Sequence, residues 1–285
     1  MDAVVVSTSA GRVEVHDSGG PGPVLLVLHG IPGDYRQGVT VLEDLGPTAR
    51  VLLVSRPGYG RTPLSSGRTA EQQADLCAAL LDALGIETAV VLGISGGGPA
   101  AYAFANRHPD RCTGLLLCCA VAAHVLEVPV GMRRLAAVPG AWRLLAWVGR
   151  VAARRRPPAV PDDLTASERA QLSDPAVSAA LDRFLRDTPT WTRGVGLRND
   201  CRQLVAAVEQ PWCGQPVPTV VLHGEADEVV PVANAREHAR LVPGASLEVL
   251  PDLGHALPLF ARSLLTERLR GLLSSSPARP TPGTG

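Results

Sequence analysis

The sequence predicts an α/β protein: a mostly parallel twisted sheet of about eight strands, with helices on both faces and a helical cap insertion. Three observations predict it. Short apolar runs alternate with helical spacings through the first 120 residues and resume after 212; strands separated by helices join through crossovers, which makes a sheet parallel and buries both of its faces. Between about 122 and 212 the strand rhythm stops while helical periodicity continues. A chain of 285 residues can bury one large core, so a single catalytic-sized domain carrying an insertion fits better than two independent domains.

In chain order, β-like runs near 3–8 and 12–16 precede apolar runs at 24–28 and 51–54. The segment 70–84 places Leu76, Leu80, Leu81 and Leu84 at helical spacing and stops at Gly85, a residue favoured just past a helix end. A run at 89–94 leads straight into three glycines, Pro99 and a helical stretch at 97–107. Further strands are expected at 115–119, 217–222 and 246–250, with helices at 232–241 and 257–273. Inside the insertion, helices are expected at about 140–155, 165–173, 175–187 and 191–209. Thr165 and Glu168 fit a capping box, and Asp174-Pro175 supplies an N-cap followed by a proline at the first helical position. The resulting division is a core of 1–121 and 213–273, a helical cap of 122–212, and a Pro/Gly/Ser-rich tail of 274–285 expected to be disordered.

Composition narrows the chemistry. Twenty-seven basic and 27 acidic residues cancel, which leaves no global field for nucleic acid or an anionic membrane; the expected partner is a small-molecule substrate, and oligomeric state is not legible. Every basic side chain counted as Lys or Arg is Arg, which removes Schiff-base lysines, pyridoxal anchoring and the P-loop. No pattern calls for a cofactor or a metal. The six cysteines form no CxxC pair and read as reduced, buried thiols, with Cys118 and Cys119 expected on opposite faces of a strand. The opening residues resemble neither a secretory signal nor a membrane span, so a cytoplasmic protein is expected.

Gly93-Ile94-Ser95-Gly96-Gly97 fits G-x-S-x-G after a β-run and before a helix, the context in which this pattern marks a nucleophile. Gly93 and Gly97 would supply the space that a close strand–helix crossing needs. A serine hydroxyl needs a base, and the base needs a partner to fix its tautomer. Two later loops offer them: 223–231, which holds Asp227 between Glu225 and Glu228, and Gly254-His255 after the last strand.

With these residues in view, the chain resembles the α/β-hydrolase superfamily over nearly all of its length outside the cap and tail. His29-Gly30-Ile31-Pro32 is similar to its HGxP loop, Arg56 to Thr62 to its R-P-G-Y-G-x-S/T loop, His223 to Pro231 to its HGxxDxxVP segment, and Gly254-His255 to its GH pair. The resemblance implies a catalytic triad of Ser95, Asp227 and His255, and an oxyanion hole made by the backbone N–H groups of Ile31 and Gly96. It implies a serine hydrolase for a carboxylic ester, a lactone or a related acyl bond. An acyl transferase or cyclase would use the same triad, and a ligand sensor would keep it without turnover. Ser95 argues against the relatives that use an Asp nucleophile. Of the other histidines, His29 is expected to fix its loop, His108 to sit near a helix end, and His238 on an exposed helix.

The cap is read less sharply. Trp142 and Trp147 stand in an apolar segment suited to roof a pocket or to pack on the core. Arginines from 133 to 156 are followed by acids from 162 to 187, including Asp162, Asp163, Glu168, Asp174 and Asp182. Mutual neutralisation or solvated faces is the plain account; an arginine holding a substrate carboxylate or phosphate is the sharper one.

Overall fold

The computed structural model describes residues 2–122, 160–187, 194–206 and 211–275. Strands β1 (Val4–Thr8), β2 (Gly11–Asp17), β3 (Val24–Leu28), β4 (Arg50–Ser55), β5 (Ala89–Ile94), β6 (Cys112–Cys118), β7 (Thr219–Gly224) and β8 (Ser246–Leu250) form one sheet in the order β1-β2-β4-β3-β5-β6-β7-β8. The β1–β2 and β2–β4 pairs are antiparallel and every other pair is parallel. The expected eight-stranded, mostly parallel sheet is therefore present.

Because side chains alternate across a strand, the sheet has two apolar faces. Leu26, Leu28, Leu52, Val91, Leu115 and Leu117 share one buried cluster with α2 (Ala70–Ala83) and α3 (Gly98–Arg107). Leu25, Val27, Leu53, Val90, Leu92 and Leu116 face the other way. A short helix α1 (Arg36–Val41) follows the β3 loop. Between β6 and β7 lie α4 (Ala166–Gln171), α5 (Pro175–Asp187) and α6 (Gly194–Ala206), and after β7 come α7 (Ala233–Leu241), α8 (Leu257–Phe260) and α9 (Arg262–Ser274). The α9 residues Leu265, Leu269 and Leu272 cover the second face.

Several boundaries differ from the sequence reading for identifiable reasons. The β7 ladder begins at Thr219 rather than 217, after Pro216 and Pro218, which have no N–H to give to a sheet. β6 starts earlier, at Cys112, and ends at Cys118, because Cys119 turns to φ +46°; Cys118 and Cys119 consequently share one buried cluster instead of opposite faces. The stretch 257–273 is two helices broken at Ala261, whose φ of −119° and ψ of 35° are not helical. α2 is opened by a capping box of Thr69 and Gln72, a T-x-x-Q pattern that the reading passed over.

α4 carries the expected Thr165–Glu168 capping box, and the Asp174 carboxylate accepts the Ala176 N–H at 2.8 Å at the start of α5. α9 runs on through Ser274, one residue into the expected tail. Residues 276–285, the helix expected at 140–155, and the pocket candidates Trp142 and Trp147 lie outside the described residues. All six cysteines are unpaired, but Cys213 is exposed, not buried; it lies between Trp212 and β7, with its backbone N–H donated to Asn106. Among the described residues no helix is long and apolar enough to cross a membrane.

Candidate active site

Parallel strands deliver their following loops to one edge, which is where open α/β sheets place their ligands. Ser95 sits between β5 and α3 with φ +50°, a left-handed conformation that non-glycine residues avoid and that persists only where the surroundings enforce it. The turn is tight. A Cβ on Gly93 would come 2.6 Å from the Ala101 methyl group, and one on Gly97 would overlap the Leu28 carbonyl oxygen. Those two glycines let the helix begin against the sheet.

His255 follows β8, and its Nε2 lies 3.0 Å from Ser95 Oγ. Its Nδ1 lies 2.8 Å from Asp227 Oδ2. The other carboxylate oxygen, Oδ1, accepts the backbone N–H groups of Val229 at 2.9 Å and Val230 at 2.7 Å. Asp227 is buried whereas Glu225 and Glu228 are exposed, so only one acid of the three reaches the ring. The arrangement can move a proton from the hydroxyl to the imidazole and hold the imidazolium that results. Burial pushes the pKa of His223 down, and its Nε2 donates to the Val230 carbonyl at 2.8 Å; a neutral ring thus props the loop that aims Asp227.

The β3 loop passes in front of Ser95. A Cβ on Gly30 would stand 3.1 Å from the Ser95 Cβ, and one on Gly96 would run into the Ile31 side chain, so Ile31, Gly96 and Ser95 are brought together. Two side chains brace this loop. His29 Nδ1 donates to the Gly30 carbonyl at 2.7 Å while its Nε2 accepts the Arg56 N–H at 3.0 Å, which fixes the tautomer. Gln37 straddles Ile31: its amide oxygen accepts the Gly30 N–H and its amide nitrogen donates to the Pro32 carbonyl, both at 2.9 Å. Gln37 was missed in the sequence. Its only signal is a polar residue on a short helix just after the HGxP-like loop.

Among the described residues the insertion meets the site through Asp200, through Glu168 and through one face of α5. Arg56, after β4, is buried and pairs with Asp200 of α6 at 2.7 Å; Tyr59 donates to the same carboxylate at 2.6 Å. Burial opposes the Arg56 charge, but Asp200 and Tyr59 outweigh it and raise its pKa above the ordinary arginine value. Glu168 is fully buried, contrary to the solvated face expected of it; one oxygen closes the capping box and the other accepts the Gly254 N–H at 2.9 Å, beside His255. Finally, Leu181, Phe184 and Leu185 of α5, with Val41, Leu164 and Leu259, wall a cavity of about 230 Å³ at whose base lie Ser95 and His255. No arginine lines that cavity among the described residues; its acid is Asp163.

The remaining histidines divide. His29 does fix its loop, and His108 ends α3 beside Asp75 at 2.9 Å. His238 is buried, not exposed, with Nε2 donating to the Val121 carbonyl at 3.1 Å, because α7 turns that face onto the end of the β6 loop.

The description of the alpha/beta hydrolase fold matches residues 23–261, and the chain belongs to the α/β-hydrolase fold family. It is 25% identical over 260 residues to the uncharacterized hydrolase YcgS of Bacillus subtilis (strain 168), across 88% of this chain and 91% of that one. Among solved structures it is similar to an alpha/beta hydrolase fold protein from Nakamurella multipartita, with TM-score 0.78 and 30% identity over 96% of this chain and 99% of that one. It is also similar to a thermophilic esterase from Thermogutta terrifontis, with TM-score 0.68 and 26% identity over 96% and 98%.

Proposed function

We propose that this protein is a serine hydrolase acting on a small-molecule carboxylic ester or lactone through an acyl-enzyme. The observation that carries the reading is the unbroken relay from Ser95 Oγ through His255 at 3.0 Å to Asp227 at 2.8 Å. Ser95 attacks the acyl carbon while His255 Nε2 takes its proton, and Asp227 stabilises the imidazolium. The tetrahedral oxyanion accepts the N–H groups of Ile31 and Gly96. Collapse expels the alkoxide, which receives the proton from His255; water then enters by the same route in reverse and releases the acid. The apolar wall of α5 suits an uncharged acyl or alcohol group, because a carboxylate or phosphate would be desolvated there with no arginine among the described lining residues. Free cysteines, five of them buried, support a reducing, cytoplasmic setting.

The test is turnover of a panel of aliphatic esters and lactones by wild type, Ser95→Ala and His255→Ala, repeated with an added acceptor alcohol. The reading expects acid as the main product and loss of about 10⁴-fold or more in either variant. Full activity in Ser95→Ala would refute it, and ester formation with the acceptor in preference to acid would make the protein a transferase.

A further inference from the structure

Behind the relay lies a sulfur that the proposed chemistry leaves unused. Cys119 follows β6 at φ +46° and is fully buried. The Cys118 thiol, burial and the Asp227 charge push the Cys119 thiol well above its ordinary range, so it is protonated and no rival nucleophile. Its Sγ, an oxygen of Asp227 and a ring nitrogen of His255 nevertheless all lie within 4.8 Å of one another.

Thiolate, imidazole and carboxylate are the donors that zinc-like cations take in a tetrahedron, at about 2.0 to 2.3 Å each. Such donors stand roughly 3.3 to 3.8 Å apart, so the three need shifts of only about an ångström to close on a cation. Charge also balances: a dication, a thiolate, a carboxylate and a neutral imidazole sum to zero, which a buried site tolerates. Asp227 Oδ1 is held by two N–H groups, so the cation takes Oδ2 by replacing its 2.8 Å contact with His255 Nδ1, and His255, whose side chain is 22% exposed, gives a way in.

We propose that Cys119, Asp227 and His255 form an inhibitory site for a thiophilic divalent cation of the zinc and cadmium kind. The thiol proton leaves to solvent, the one proton of the neutral ring moves through solvent from Nδ1 to Nε2, and the cation takes the Nδ1 lone pair so freed in place of the Nδ1–H···Asp227 hydrogen bond. In that tautomer the ring donates to Ser95 Oγ instead of accepting from it, and the serine has lost its base. The inhibition rests on the proposed roles of Ser95 and His255; the binding of the cation does not.

The test is a cadmium chloride titration of the full chain, following ester hydrolysis in wild type, Cys119→Ala, Cys119→Ser and Cys213→Ala, and the cadmium–thiolate absorption band in wild type, Cys213→Ala and Ser95→Ala. The expected result is one cadmium per chain, inhibition reversed by chelator, and sensitivity reduced about tenfold or more in both Cys119 variants at unchanged basal activity. Cys213→Ala, which removes the exposed thiol, behaves as wild type, and Ser95→Ala retains the band. Equal inhibition of the Cys119 variants, or a band that disappears in Cys213→Ala, overturns the site. Full ester turnover by Ser95→Ala with the band intact refutes the proposed function while the cation site stands.

Discussion

The three loops that carry Ser95, Asp227 and His255 and the insertion that covers them are held in place by different means. Each loop is tied within a few residues of its own strand: Gly93 and Gly97 admit the turn at Ser95, Val229 and Val230 grip Asp227, and Gln37 and His29 clamp the strand of chain around Ile31. The insertion is held by side chains that meet across long sequence distances. Arg56 and Asp200 are 144 residues apart, and Glu168 reaches Gly254 across 86. The glycines of the elbow and the Asp227 loop write themselves into short patterns; the long-range pairs do not.

That contrast predicts a hierarchy of effects. The largest after loss of Ser95 or His255 is expected from Gln37→Met, which keeps volume but drops both hydrogen bonds. Removing an oxyanion donor outright costs about 100- to 1000-fold; releasing the loop proposed to hold one is expected to cost on the order of 10-fold in kcat, with KM changed less. A fall in KM and kcat together with a lowered melting temperature would instead make Gln37 a packing residue.

Next comes the insertion. Asp200→Ala leaves the buried Arg56 charge without its partner, a change that costs about 3–5 kcal/mol in stability. Thermal unfolding should register it strongly, while kcat on a small acetate ester should fall less than in Gln37→Met. The reverse ranking would break the distinction between loop and insertion.

The smallest effect is expected at Glu14 of β2, a carboxylate that the proposed chemistry does not use. Burial pushes the Glu14 carboxyl up, but hydrogen bonds from Arg61 and Ser55 outweigh it and hold its pKa below the usual 4.5. A carboxyl depressed in the folded state contributes stability that is present above its unfolded pKa and lost as pH falls through the folded value. Glu14→Gln should therefore lower the melting temperature modestly at neutral pH and flatten its decline below about pH 4.5. An unchanged acid limb would mean that Arg61 adds nothing.

The sheet was legible because buried parallel strands read as apolar runs, and the elbow because only glycine fits at positions 93 and 97. The sequence left His238 and the second oxygen of Glu168 facing solvent for a common reason: each belongs to a polar residue on a helix, and periodicity does not say which partner will cover it. His238 found the Val121 carbonyl and Glu168 the Gly254 N–H, neither of which is near in sequence. Gln37 was invisible because its function is to satisfy two backbone groups, and backbone groups leave no trace in composition.

The central claim is that the Ser95 hydroxyl is made nucleophilic by His255. Fluorophosphonate labelling followed by peptide mapping tests it most directly: the account predicts one adduct per chain, on the peptide containing Ser95, absent in Ser95→Ala and slowed severely in His255→Ala. A folded wild-type protein that takes no label, or one labelled equally fast without the imidazole, would contradict it.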